Sequence, residues 1–345
     1  MCAERTCLRI ATEEAFAPPD MLRMYRDIIA NDPGRDPGFM CLWGFFLSDR
    51  HDYPRNVIAR LQDLGARRIQ DMDAAGIDRQ LIFLTGPGVQ IFAAPEAVAL
   101  AASSNDMLAD AVRRHPERFS GLAAVAPQDP PAAAKELERA VRKLGLKGAV
   151  INSHTRGAYL DDPAAWEIFA AAEALDVPIY LHPQTPSAKM IEPMSEVGVE
   201  SAMFGFGVET GLHTLRIIIS GVFDRFPKLR LVIGHLGEAL PFWLYRIDHM
   251  HGAAVRSGRH PRLKPLQRKF SDYLRENIWI TTSGMAWEPA ILFCQQVLGM
   301  ERVLYAMDYP YQYLPAEVQV TDNLPISDAD RKKLYQTNAE QVFKL

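Results

Sequence analysis

Short apolar runs rich in β-branched residues alternate with longer helical patterns along almost the whole chain, and this alternation constrains the fold more than any other feature. The runs are "LRIATEE" (8–14), "RQLIFLTG" (79–86), "FSGLAAVAP" (119–127), "KGAVINSH" (147–154), "VPIYLHP" (177–183), "LRLVIGHLGE" (229–238), "NIWITTSG" (277–284) and "VLYAMDYP" (303–310). Near-continuous apolar strands between helices indicate a parallel sheet covered on both faces. Eight such units predict an α/β chain closed as a (β/α)8 TIM barrel, with a doubly wound open sheet as the rival. The helices are well punctuated. In "PPAAAKELERAVRKLG", Pro130 and Pro131 suit a first turn and Gly145 suits a C-cap. "DDPAAWEIFAAAEALD" opens with Asp at an expected N-cap and Pro just inside. No linker, low-complexity tract or tandem repeat divides residues 1–345, so one domain is expected.

Three segments exceed ordinary loop length: residues 17–55, 184–214 and 251–270. Long excursions in a compact fold are more often functional than accidental. The first two follow strands one and five and would leave from the C-terminal face, where barrel enzymes build their sites.

The strand ends carry the chemistry. "LRIATEEAF" finishes in two carboxylates, Glu13 and Glu14, and a buried carboxylate is costly unless a partner compensates it. Strand five ends in His182, strand six in His235 and strand eight in Asp308, while the others offer Thr85, Asn152 or His154, and Thr282 or Ser283. A barrel brings all of these to one mouth. Two carboxylates and two imidazoles aimed at one point describe a divalent metal site. Each residue also has a plain structural reading. His182 before Pro183 suits an ordinary hydrogen-bonded histidine, Asp308 an Asx-turn, and Glu238 a helix N-terminus. Glu14 should face away from Glu13. The conjunction favours the site, because four polar strand ends would each need a separate structural reason.

Composition excludes several other classes. With 48% hydrophobic and 23% charged residues the chain is ordinary for a globular protein, and its net charge of −4 gives no basic footprint for nucleic acid. No apolar run approaches the roughly 20 residues that span a bilayer. "MCAERTCLRI" lacks the apolar stretch of a signal peptide. Cys2, Cys7, Cys41 and Cys294 form no CxxC pair and are too sparse for a disulfide framework. Free thiols and a cytoplasmic location are expected.

"IATEEAF", "YLHP", "FDRFPKLRLVIGHLGEALPFWLYRID", "YAMDYPY" and the terminal "NAEQVFKL" resemble the amidohydrolase superfamily. More narrowly, they resemble its branch of metal-dependent, non-oxidative decarboxylases, the aminocarboxymuconate semialdehyde decarboxylase-like enzymes. Likeness to the carboxyvanillate decarboxylases of that branch runs nearly end to end, through "CLWGFF", "ARRIQDMDAAGID", "VAPQDP", "INSHT", "FGFGVETG" and "AWEPAILFCQQV". The resemblance implies an amidohydrolase-like barrel and a carboxy-lyase. Its substrate would be an ortho-hydroxybenzoate-type aromatic acid, 5-carboxyvanillate ahead of γ-resorcylate or 2,3-dihydroxybenzoate.

In that family the first strand usually ends in two metal-binding residues one position apart. Here the pair is Glu13 and Ala15, and alanine cannot ligate. The resemblance therefore leaves Glu13, His182 and Asp308 as metal ligands. Binuclear relatives bridge their metals with a carboxylated lysine at the end of strand four. The only lysine of that strand, Lys147, lies at its other end, so one cation per subunit is expected. An oxygen-rich, partly open donor set suits Mn²⁺, with Zn²⁺ as the alternative.

The resemblance also implies Asp308 as general acid and His235, oriented by Glu238, as the group that positions or relays the proton. It implies a homodimer in which Arg246 reaches the neighbouring pocket, with pairing into a dimer of dimers left open. One departure stands out. Carboxyvanillate enzymes carry another arginine in the loop after strand one, where this chain has Tyr53, with Arg50 and Arg55 nearby. Either arginine substitutes, or the substrate differs. Phe206 and Tyr311 are expected against the substrate ring, although core packing explains them equally. The rivals are a metallohydrolase of a lactone or amide, weakened by Ala15, and a non-catalytic binding barrel.

Overall fold

The computed structural model describes residues 7–48 and 50–345. Its strands are β1 (Ile10–Phe16), β2 (Arg79–Leu84), β3 (Phe119–Gly121 and Ala123–Ala124, parted by Leu122), β4 (Ala149–Asn152), β5 (Ile179–His182), β6 (Leu231–Ile233), β7 (Ile278–Thr281) and β8 (Val303–Leu304). Every neighbouring pair is parallel and follows chain order. At the Leu122 break β3 still bonds on both sides: Leu122 N–H donates to Ile82 (2.9 Å), while Gly121 accepts from Lys147 N–H (2.8 Å). Closure comes from Thr12 and Ala15 N–H groups donating to Tyr305 (2.9 Å) and Tyr309 (2.7 Å). The sheet is a closed eight-stranded barrel, and the open-sheet rival is ruled out.

Strand alternation sorts the apolar side chains into two shells. Ile10, Leu81, Leu122, Val150, Tyr180, Val232, Trp279 and Leu304, one from each strand, pack inside the barrel. Ala339, Val342 and Phe343 of the last helix, Asn338–Phe343, join that cluster as a plug. The opposite faces pack under the helices in a second, larger cluster. Lys147 bonds the Lys344 carbonyl at the plugged end (2.9 Å), the far end of β4 from the site. Asp129 caps Pro130–Leu144 by accepting from Ala132 N–H, and Gly145 closes it at φ 76°. Asp162 caps a 3₁₀ turn, Pro163–Ala165, that precedes helix Trp166–Leu175.

The long excursion after β1 is helical, with Pro19–Asn31 and Pro37–Phe46 folding over the barrel mouth, and Asp52–Leu61 following. The excursion after β5 contains the short helix Glu192–Ser195 and ends in helix Gly205–Ile219. Both contribute walls to the cavity at the mouth, whereas residues 251–270 do not. Cys41 and Cys294 form no disulfide among the described residues, and Cys2 lies outside them. No helix among the described residues is long and apolar enough to cross a membrane.

Because Phe343 is 1% exposed within the barrel-sealing cluster, Phe343→Ala should destabilise the fold by about 3–5 kcal/mol in urea unfolding. A loss below about 1 kcal/mol would show that the terminal helix does not plug the barrel.

Candidate active site

The two carboxylates at the end of β1 part company. A register irregularity between Ala11 and Glu14 re-aims the strand just before them. Glu14 is fully buried in the wall and accepts from the N–H groups of Met307 and Tyr309 (both 3.1 Å). Burial pushes its carboxyl well above the usual range, against the pull of the Met307 amide and Arg68. Arg68, also fully buried, ties that wall together through Ala15 O (2.7 Å) and the face of Tyr309.

Glu13 points the other way, into the mouth, and is 2% exposed. Its Oε2 accepts from Thr281 Oγ1 (2.9 Å) and Tyr180 Oη. Its Oε1 has no hydrogen-bond donor among the described residues, yet lies 3.5 Å from His182 Nε2 and 3.6 Å from His235 Nε2. Ligating atoms of Glu13, His235 and Asp308 all fall within 4.8 Å of one another. The structure thus gathers all four strand-end residues, and the tightest triad contains His235 rather than His182.

His235 is held by an unusual piece of backbone. His235, Leu236, Gly237, Glu238 and Ala239 all have positive φ (49–82°), a conformation that costs non-glycine residues of order 1–2 kcal/mol each. The turn aims His235 Nδ1 at Glu238 Oε1 (2.8 Å). Small residues in "FGFGVETG" let helix Gly205–Ile219 approach: a Cβ on Gly207 would sit 3.1 Å from Glu238 Oε2 and one on Gly211 3.2 Å from Glu238 O. Asp308 is likewise left-handed, at φ 69°.

The electrostatics match the geometry. Burial, reinforced by Glu13, raises the Asp308 carboxyl well above the ordinary range. Burial works to lower the His235 imidazole, but the Glu238 and Glu13 carboxylates outweigh it and raise it. Burial lowers His182 to about 4. One buried and one half-buried carboxylate, two imidazole nitrogens and one undonated oxygen around a common point are the donor set of a hard or borderline divalent cation. The residues fit such an ion.

Beside the cluster lies a cavity of about 350 Å³ with an aromatic wall. Phe45, Phe46, Tyr53, Phe206 and Tyr311 line it, with Phe46 edge-on to Tyr311 at 5.2 Å. Thr85 fixes the Tyr311 hydroxyl (2.5 Å), and Tyr53 Oη donates to Tyr311 O (3.0 Å). Arg50 is exposed outside the lining, and Arg55 pairs with Asp52. Arg246 is exposed on helix Leu240–Ser257, away from its own cavity. Sequence reasoning missed Tyr180 and Thr281. The signal was strand alternation, since Tyr180 lies two residues before His182.

The amidohydrolase family profile matches residues 52–345. The chain belongs to the amidohydrolase family. A manganese-bound 5-carboxyvanillate decarboxylase from Novosphingobium aromaticivorans, complexed with 4-hydroxy-3-methoxy-5-nitrobenzoic acid, is 51% identical; it aligns over 99% of this chain and 97% of its own, with a TM-score of 0.97. The 5-carboxyvanillate decarboxylase of Sphingomonas paucimobilis is 40% identical over 99% and 100% of the two chains, at TM-score 0.93. γ-Resorcylate decarboxylase from a Polaromonas species is 36% identical, over 87% of this chain and 93% of its own. Amidohydrolase membership settles the barrel class, and these relatives are decarboxylases of hydroxylated aromatic acids.

A Cβ on Gly234 would stand 2.8 Å from Glu13 Oε2 and 3.1 Å from Oε1. Gly234→Ala should therefore fold normally but displace the carboxylate, weakening divalent-metal affinity about tenfold or more by calorimetry. Unchanged affinity would show that Glu13 need not hold its observed position.

Proposed function

We propose that this amidohydrolase-family protein is a metal-dependent, non-oxidative decarboxylase of ortho-hydroxybenzoate-type aromatic acids, of the 5-carboxyvanillate or γ-resorcylate kind. What carries this reading is the placement of the partly buried carboxylate–imidazole cluster against an aromatic slot. Likeness over the full chain to a manganese-bound 5-carboxyvanillate decarboxylase supports it. Direct cleavage of an aryl–carboxylate bond leaves an unstable aryl carbanion. An ortho hydroxyl offers another route, because its electrons make the carboxyl-bearing carbon basic enough to take a proton first.

In this reading Glu13, His182 and Asp308 hold one divalent cation, manganese ahead of zinc. When bound, the ion supplies a template and Lewis acid for phenolate and carboxylate oxygens. Tyr180 and Thr281 fix Glu13 so that its undonated oxygen faces that position. Phe206 and Tyr311 hold the ring flat beside Asp308. Asp308 gives its proton to the carboxyl-bearing carbon, the bond to the carboxyl group breaks, carbon dioxide leaves and the ring regains aromaticity. His235, oriented by Glu238, returns the proton to Asp308. A second reading exchanges His182 for His235 in the ligand set, and the tight triad favours it.

The substrate carboxylate needs a cation, and no Lys or Arg among the described residues lines the cavity. Arg246 stands among exposed apolar side chains: Phe242 is 73% and Tyr245 85% exposed, and Trp243 and Met250 lie close in sequence. Phe242 also touches Phe293 on helix Glu288–Leu298. An exposed patch of this composition is an interface in search of a partner. The reading is a homodimer in which each Arg246 completes the neighbouring slot.

Incubation of ortho-hydroxybenzoates in D₂O should release carbon dioxide and place deuterium at the vacated ring carbon. A hydrolase does neither, and a scaffold turns over nothing. Glu13→Gln and His182→Ala should lose bound manganese, whereas His235→Ala should keep it and lose about 10²–10⁴ in turnover. The reverse pattern for the two histidines would select the second ligand set. Mixing inactive Arg246→Ala with inactive Asp308→Asn protomers should restore partial activity. Hybrid dimers that form and stay inactive rule out action across the interface.

A further inference from the structure

Gln312 stands where two cavities come together. The slot beside Tyr311 and a second cavity of about 590 Å³ both use Phe206, His235, Asp308 and Gln312 in their walls. Four residues past Asp308, Gln312 donates its backbone N–H to Asp308 O (2.9 Å), so its place is set by the same exit from β8. Its neighbours also decide which way its side-chain amide faces. The amide nitrogen donates to Gly284 O (3.3 Å) and to both carboxylate oxygens of Glu317 (3.0 and 3.2 Å). A carbonyl and an ionised carboxylate only accept, so the reversed amide would set oxygen against three oxygens.

The amide oxygen is thereby turned toward the open space beside Gly284. The point that a Cβ on Gly284 would occupy lies 3.4 Å from Gln312 Oε1, 3.5 Å from His235 Cδ2 and 3.6 Å from Asp308 Oδ2. Gly284, at φ 60°, leaves that point open. No donor among the described residues bonds Gln312 Oε1. A fixed acceptor without a donor among the described residues thus shares that open space with His235 and Asp308.

We propose that Gln312 is a specificity-determining residue that reads a second hydroxyl on the substrate ring, with Glu317 as the positioning residue that locks its amide. This rests on the decarboxylase reading and narrows its substrate class. The hydroxyl that meets the metal has surrendered its proton and cannot be the donor. Because Oε1 lies beside His235 and Asp308, not at the Tyr53 end of the slot, the second hydroxyl sits next to either the carboxyl carbon or the phenolate carbon. A free hydroxyl there donates to Oε1. A methyl ether has no proton to give and leaves the acceptor unpaired once water is displaced, which is how a site built for a hydroxyl rejects an analogue lacking it.

The test uses the manganese-loaded, full-length protein and two substrate pairs: 2,6-dihydroxybenzoate against 2-hydroxy-6-methoxybenzoate, and 2,3-dihydroxybenzoate against 2-hydroxy-3-methoxybenzoate. In at least one pair the wild type should favour the free hydroxyl by roughly tenfold or more in kcat/KM. Gln312→Met should bring that ratio within about threefold by slowing the dihydroxy acid and sparing the ether. Glu317→Ala should act in the same direction, and Glu317→Gln, which keeps an acceptor for the amide, should retain part of the discrimination. Where the 2,6 pair shows the preference, calorimetric affinities for 2-nitroresorcinol and 2-nitrophenol should converge likewise in Gln312→Met. A purely structural glutamine would weaken both partners of each pair alike, and that result overturns the proposal, as does a wild type with no preference in either pair. Failure to release carbon dioxide from all four acids and from 5-carboxyvanillate rejects the decarboxylase reading separately, while the two nitro ligands still report on a hydroxyl beside the carboxyl-bearing carbon.

Discussion

One undonated oxygen organises the mouth of this barrel. Glu13 is buried with one carboxylate oxygen satisfied by Thr281 and Tyr180 and the other satisfied by none of the described residues, although two imidazole nitrogens stand near it. Burying an ionised carboxylate in that state is costly. Asp308 shares the same space, and burial first, then the nearby Glu13, raises its proton affinity. A divalent cation removes the conflict in a single step, which is why the arrangement reads as a site and not as a flaw in packing.

The remaining local structure serves to hold that conflict still. Five successive left-handed residues, 235 to 239, and a left-handed Asp308 are conformations a chain adopts only when its surroundings over-determine them. The surroundings here are a closed barrel sealed by the last helix and a glycine-rich helix face that lets Gly207 and Gly211 press against Glu238. Glu14, with Arg68, fixes the seam where β1 meets the end of β8, so the two carboxylate-bearing strand ends keep a constant separation. Rigid elements place the reacting groups, and the longer excursions supply the walls of the slot.

Charge and apolar surface are divided in a telling way. The slot is aromatic, and the described residues that line it carry no Lys or Arg. A conspicuous apolar patch lies outside, around Arg246. On the homodimer reading proposed above, a second copy of the chain would bring a cation to the slot and cover the patch. Inside the slot, the polar groups that remain, Gln312 among them, have their orientations set by neighbours. Recognition there depends on directed hydrogen bonds against an apolar background.

Much of this was legible in the sequence. Eight apolar runs with helical spacers set the barrel, because burial on both faces of a parallel sheet demands that pattern. The polar strand ends Glu13, His182, His235 and Asp308 stood out because strand ends in such a barrel converge whatever their separation along the chain. What the sequence left open were contacts between strands. Tyr180 reads as one more core residue until its hydroxyl meets Glu13, and Gln312 reads as a loop residue until Glu317 and Gly284 orient its amide. Which histidine stands nearer to Asp308, and that Arg50 falls outside the slot, are likewise matters of ångströms. Periodicity encodes which face a side chain takes, and only the closed, packed barrel fixes the distances between faces.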